Sequence, residues 1–343
     1  VPGTVPVEAD GPAYLEVPSD RFVFFQLLDA DGMMVQSMRS GTQIQSGERQ
    51  SCIGCHESRN GGAPPTGAGA LALKRPPSQP QGGSPREFSF TADVQPILDR
   101  QCVRCHDYGQ KDGEGLNLCG DRDLIFSTAY QELWAKKLVT CAGGGPAAVL
   151  PAKSWGAHAS KLIAVLRKGH EKVTLAPEEL AVLTTWVDIN APYYPSYYCA
   201  FPEHQGGRSP LNPAEVKRLS ELTGVNLAGQ ANHGALRQPW ISFDRPEVSP
   251  ALARIAAGQT AMREEALALI RVGAQRLKES PEADRPGFAP CAADREREAK
   301  YVRRQQAERR SRASLREGTM VYDEYSRSAA SPVRPARAGV RSD

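Results

Sequence analysis

Two groups of residues in this chain have the types and spacing to do chemistry. One is Cys52, Cys55 and His56 in SCIGCHES; the other is Cys102, Cys105 and His106 in DRQCVRCHD. Each reads C-x-x-C-H. Two thiols at this spacing can form thioethers to the two vinyl groups of one porphyrin, and the histidine that follows is then held under the ring as an axial iron ligand. The pair uses four of the eight cysteines and two of the six histidines, more than chance supplies at this composition. A zinc site shared by the two C-x-x-C pairs is the competing reading. Against it, 46 residues separate the halves, and zinc requires no histidine after each pair. The spacing therefore predicts two covalently bound haem c groups, attached through Cys52, Cys55, Cys102 and Cys105, with His56 and His106 as iron ligands.

What lies on the opposite face of each iron decides the chemistry. No methionine occurs between His106 and His204, which argues against a thioether on the second haem. The available ligands are His158 in WGAHAS and His170 in RKGHEK. His170 is preferred, because it follows a glycine stop and lies on a loop before the next helix; His158 and an open site are the alternatives. Two imidazoles stabilise ferric iron better than an imidazole and a thioether, so a low reduction potential is expected. For the first haem, His204, His233 and the thioethers of Met33, Met34 and Met38 are candidates, each more readily a loop or core residue. Without a sixth ligand that iron would be open to nitric oxide or peroxide, the route by which the chain would be an enzyme.

The elements that must position these residues follow from pattern. Residues 1–50 read as a partial β-sandwich-like domain, with Asp29-Ala30-Asp31-Gly32 as a hairpin turn and MMVQSMRSGTQIQ as the return strand. Residues 51–87 carry the first attachment segment and a Gly/Pro-rich linker. Residues 88–200 read as a cytochrome c-like domain. Asp93 is its expected N-cap, and Val94, Ile97 and Leu98 share the face of a helix that runs into Cys102. Further helices are expected near Thr128 to Val139, from Ser160 to a Gly169 stop, and from Pro177 with Leu180, Leu183, Trp186 and Val187 buried. Residues 201–290 are a helix and strand extension, with strand character in WISFDRPEVS. Residues 291–343 are a charged helix, Ala292 to about Arg316, and a disordered basic tail.

With 343 residues the chain is long enough for two or three cored domains, and Gly 31 with Pro 27 makes loops plentiful. No run approaches the roughly 18 apolar residues of a membrane helix. Net charge is +3 and uneven: the first 290 residues carry −2, and residues 291–343 hold 13 Lys/Arg against 8 Asp/Glu. Acids interspersed along that helix argue against nucleic acid; a solvated helix or an acidic docking partner is the simpler reading. Covalent haem attachment takes place beyond the cytoplasmic membrane, so a periplasmic or otherwise extracytoplasmic location is expected. The opening VPGTVPVEADG has neither Met nor a signal sequence, and is read as the mature or truncated part of a longer protein. In an oxidising compartment Cys119, Cys141, Cys199 and Cys291 are disulfide candidates, Cys119 with Cys141 first by proximity. The cluster Tyr193, Tyr194, Tyr197 and Tyr198 reads as packing or as a wall at the haem edge.

The segments MVQSMRSGTQIQSGERQSCIGCHESR, FTADVQPILDRQCVRCH and SWGAHASKLIAVLRKGHEKVTLAPEELAVLTTWVDINAPYY resemble the hydrazine synthase alpha subunit family, planctomycete-type exported proteins of several domains. The resemblance covers residues 1 to about 225 and extends to GFAPCAADREREAKY. It implies an upstream β-propeller missing from this chain, followed by a middle β-domain and a dihaem c-type C-terminal region. It also implies a tyrosine ligand just after the first C-x-x-C-H, with the motif histidine on zinc. Here His56 is followed by ESRNGGAPPTG, which has no tyrosine, so His56 is read as an ordinary iron ligand.

The expected fold is mixed β and α: a truncated N-terminal β-domain, a mostly α-helical cytochrome c-like dihaem region, and a helical, partly disordered C-terminus. The expected function is an exported dihaem c-type cytochrome module for electron transfer to a redox partner protein. Two alternatives stand beside it. One is a hydrazine synthase-like or peroxidase-like enzyme with an open first haem fed by the second. The other is a structural or surface-binding module stapled by its haems.

Overall fold

A computed structural model describes residues 3–19, 21–45, 48–52, 72–82, 87–143, 150–229, 238–283 and 285–319. The expectations placed on Cys55, His56, His233 and the basic tail beyond residue 319 lie outside the described residues. The chain divides into two compact units, Val1–Ala289 and Pro290–Asp343.

The first unit begins with short strands. They are β1 (Gly3–Thr4), β2 (Phe22–Val23), β3 (Gln26–Leu28), β4 (Met34–Ser37), β5 (Thr42–Gln43) and β6 (Gln81–Gly82). They pair antiparallel as β1 with β6, β2 with β5 and β3 with β4. A sandwich was expected over residues 1–50; the described residues form three separate two-stranded ladders instead. Strands of two to four residues bury too little surface to stack as sheets. β6 falls inside the span read as a linker, so the end of that span is docked on β1.

The β3–β4 hairpin turns where its sequence requires. Asp29 Oδ1 accepts from the amides of Asp31 (3.0 Å) and Met33 (2.9 Å), and Gly32 takes a φ of +75°. Cover for the hairpin comes from the helices that follow. α4 (Pro177–Asp188) ends on Asp188, whose Oδ2 accepts from the Met34 amide at 2.9 Å and whose Oδ1 accepts from the Ala157 amide at 2.6 Å. Burial pushes the Asp188 carboxyl up, and these two amide bonds pull it part of the way back. Gly156 lies against this node with a φ of +78°. A Cβ there would stand 2.5 Å from Asp188 Oδ1 and 2.6 Å from the Met34 methyl. Gly156→Ala is expected to destabilise the unit by about 1–3 kcal/mol, measured by urea denaturation, because the left-handed backbone and the collision add.

The first core gathers α1 (Gln95–Gln101), α2 (Thr128–Ala135), α3 (Lys161–Lys168) and α4 around Phe90. Asp93 was expected to cap α1. The helical course instead begins earlier, as a π-turn over Phe90–Val94 capped by Ser89, whose hydroxyl accepts from the Ala92 amide at 3.2 Å. Asp93 closes the box from the other side, taking the Ser89 amide at 2.8 Å. Val94, Ile97 and Leu98 are buried on the shared face. Phe90 is fully buried, with ring centroids 5.1 Å from Tyr130, 5.2 Å from Trp186 and 5.6 Å from Tyr193. α2 stops at Ala135, short of Val139, where Lys137 takes a positive φ of 55°.

The second core packs α5 (Pro213–Thr223) against α6 (Thr260–Glu279) through Val216, Leu219, Leu222, Ala266 and Ile270. WISFDRPEVS lies in this core but is not a strand. Ile241 and Phe243 are buried, while the backbone bonds singly: Phe243 N to Arg122 O at 2.9 Å, and Trp240 N to the Asp123 carboxylate at 3.1 Å. Pro239 precedes the segment and Pro246 interrupts it, which leaves no ladder to propagate. Phe126 and Tyr194 pack against both cores. Beside them the buried Arg122 pairs with Glu282 at 2.5 Å and donates to Tyr194 Oη at 3.0 Å and to the Arg208 carbonyl at 3.2 Å.

Asn212 caps α5 by accepting from the Glu215 amide at 2.9 Å. Arg276 of α6 grips both oxygens of Glu215, at 2.5 and 2.8 Å. These bonds hold the Glu215 carboxyl below the usual glutamate range. A depressed carboxyl contributes stability that is present above its unfolded value, near 4.5, and is lost as pH falls through the folded value. Glu215→Gln is therefore expected to lower the melting temperature at pH 7 and to narrow the gap between pH 7 and pH 4, as read by circular dichroism. An unchanged gap would contradict the assignment.

The second unit is built on α7 (Ala292–Arg316), charged around its circumference and exposed along most of its length.

Candidate functional site

α1 delivers the second motif. Its last amide bonds pass directly into the motif: Cys102 N to Leu98 O at 2.8 Å, then Cys105 N and His106 N to Cys102 O, each at 3.1 Å. One helical turn thus places the two thiols and the imidazole in sequence at the end of a buried helix. Cys102 packs against the first core, Cys105 is exposed, and His106 is half-buried. Burial pushes the Cys102 thiol up to about 11, so it rests as a neutral S–H.

The loop after the motif folds back onto it. Leu118 N donates to His106 O at 2.8 Å, and the Leu116 carbonyl lies 3.0 Å from His106 Nδ1. With the Nδ1 proton on that carbonyl, Nε2 carries the free lone pair that a metal requires. Gln95 of α1 steadies the same loop by donating to Leu118 O at 3.0 Å.

Across from His106 lies His170. The two ring centroids are 6.1 Å apart and their planes meet at 25°. α3 ends at Gly169, whose φ of +92° turns the chain outward; His170 follows on an exposed loop closed by Val173 N to His170 O at 3.0 Å. Two imidazoles on one metal stand roughly 6 Å apart between centres, from about 2 Å of metal–nitrogen bond and about 1 Å from nitrogen to ring centre on each side. Among the described residues no three His, Cys, Asp or Glu side chains converge as a cage. The spacing of the two imidazoles fits the two axial positions of a haem iron.

His158 is otherwise engaged. Its Nε2 lies 2.8 Å from Asp29 Oδ2, so it ties the hairpin turn to the segment preceding α3. Burial raises the Asp29 carboxyl, but the Met33 amide and His158 outweigh it and leave the group lowered. Of the first motif, Cys52 is exposed, while Cys55 and His56 lie outside the described residues. Met33 and Met34 are buried core residues. His204 has Nδ1 2.8 Å from Ser209 O and its ring stacked on Phe201 at 5.5 Å.

The expected Cys119–Cys141 disulfide is not formed: both are free thiols, as is Cys291. Cys119 sits among Asp107, Asp121 and Arg245, whereas Cys141 sits near Tyr130 and Asp188. Tyr193 is a core residue and Tyr197 is exposed to solvent, so the tyrosine cluster is divided between packing and surface. The residues that sequence reasoning missed are Leu116, which supplies a carbonyl and no side-chain signal, and Arg245, which reaches Asp107 beside the motif from 138 residues away.

Residues 1–57 match the family described as the hydrazine synthase alpha subunit middle domain. The match ends one residue after His56, so it includes the first C-x-x-C-H and excludes the second. No curated protein and no solved structure matches the chain. No helix among the described residues is long and apolar enough to cross a membrane.

Proposed function

We propose that this chain is a dihaem c-type cytochrome module that carries electrons outside the cytoplasm. Cys102 and Cys105 hold the second haem, with His106 and His170 as its axial ligands; Cys52, Cys55 and His56 hold the first. The observation that carries this reading is the spacing of His106 and His170, with the Leu116 carbonyl fixing the tautomer of His106. When bound, each haem supplies a one-electron ferric/ferrous couple. The protein's part is to orient the two imidazoles and to leave His170 and Cys105 near the surface, where a redox partner protein can approach.

The test is the haem-loaded chain matured in an export-competent host. Its mass should show two haem additions that survive acid–acetone extraction, and its EPR spectrum should contain a low-spin bis-imidazole component. An unmodified mass, or zinc in place of iron, would end the proposal.

A second reading is favoured by the family match, which runs through the first motif. The first haem would then be a reaction site of the hydrazine synthase kind, fed by the second. A high-spin component that shifts on adding nitric oxide or cyanide would support that reading.

A further inference from the structure

One side chain from outside grips both ends of the loop after the second motif. Arg245 donates to both oxygens of Asp107, at 2.9 and 2.6 Å, and to both oxygens of Asp121, at 2.8 and 2.9 Å. Ser242 Oγ adds a bond to Asp121 at 2.5 Å, the Cys119 thiol reaches Asp107, and the guanidinium lies 5.2 Å from the centre of the Tyr108 ring. Asp107 is the residue next to His106. The loop it opens returns the Leu116 carbonyl to His106 Nδ1 and closes at Asp121. Arg245 is therefore the clasp by which the second core fixes both ends of the segment that orients the proximal imidazole. A planar fork is suited to this, because it meets two carboxylates at once where an ammonium group would meet them as a point charge.

The same contacts set a charge. Two carboxylates and one guanidinium leave one net negative charge beside the ligand. Ferric haem carries one more positive charge than ferrous, so its equilibrium responds to that balance. We propose that Arg245 is a positioning residue for the second haem, locking the loop that orients His106 and offsetting the two carboxylates so as to set that haem's reduction equilibrium. The inference rests on the assignment of His106 and His170 as axial ligands.

The experiment is a spectroelectrochemical titration of the haem-loaded full chain at low ionic strength, for the wild type, Arg245→Gln, Arg245→Lys and Asp121→Asn, with a melting curve for each. The second haem is identified as the low-spin component that His170→Ala converts to high-spin. Arg245→Gln leaves the two carboxylates unopposed and should shift the equilibrium about tenfold toward ferric, about 59 mV lower for a one-electron couple. Asp121→Asn removes one negative charge and should shift it by a similar factor toward ferrous. Arg245→Lys keeps the charge and should stay closer to the wild type.

Opposite signs are the signature, since general loosening of the loop would move both variants the same way. Shifts of like sign, or none, would overturn the proposal. If Arg245→Gln does not load the second haem, Asp121→Asn decides alone. If neither loads while melting as the wild type does, the residues serve attachment and the tuning role is lost. A wild-type protein without a bis-imidazole signal would instead remove the underlying ligand assignment, a distinguishable result.

Discussion

Replacing His170 with alanine is expected to convert one iron per chain from low-spin to high-spin ferric, with little change in folding stability. The imidazole lies across from His106 at a centroid distance of 6.1 Å, and under the proposed assignment its loss would leave the second haem with one axial protein ligand. The fold should tolerate the change. His170 is exposed, its loop is shaped by Gly169 and by a backbone bond from Val173, and surface substitutions of this kind stay within about 0.5 kcal/mol. Free imidazole added to the variant should restore the low-spin spectrum. His158→Ala should do the reverse, leaving the spectrum unchanged and loosening the hairpin turn through loss of the 2.8 Å contact with Asp29. EPR of the two variants side by side checks both expectations. A high-spin signal in His158→Ala and none in His170→Ala would exchange their roles.

Replacing Glu282 with alanine is expected to cost about 3–5 kcal/mol, a large share of the stability of any single folded unit. Arg122 is buried on all sides, and Glu282 is the carboxylate that pairs with its guanidinium. Removing that carboxylate leaves a buried guanidinium whose remaining hydrogen bonds go to neutral acceptors, namely the Tyr194 hydroxyl and the carbonyls of Asp123, Phe126 and Arg208. Such a group cannot neutralise itself by giving up its proton. Urea denaturation followed by circular dichroism should show the loss. A double variant, Arg122→Met with Glu282→Leu, should recover part of it, because both charges leave together while the carbonyls remain unpaired. A loss below about 1 kcal/mol in the single variant would mean that water reaches the pair.

Much of the scaffold around the second motif was readable from local chemistry. Gly169 as a helix stop, Pro177 opening α4 and the Asp29–Gly32 turn each act within a few residues, and each appears in the structure. The misreadings occur where a residue answers to something distant. Asp93 has the chemistry of a cap, but Ser89 takes that place because Phe90 must reach the aromatic core and bond to Tyr193 O. WISFDRPEVS has the composition of a strand, but its donors are committed to Arg122 and Asp123. Arg122, Asp188 and Arg245 were passed over as ordinary charges. Their partners lie 160, 154 and 138 residues away in the chain, beyond any pattern that periodicity can reveal. Of the candidate site, the thiols and His106 follow from spacing, whereas the Leu116 carbonyl depends on the return of the loop.

The carboxylate of Asp188 binds strand and helix through amides that belong to different stretches of the chain. Neither amide can be released without breaking into the interior, so both should exchange with deuterium only when the whole unit opens. The match to the family model stops at residue 57, but the bonds that cover the β3–β4 hairpin run on to Asp188 at the end of α4. A fragment cut at that border would therefore hold only part of a folding unit, and neither piece should keep its shape alone.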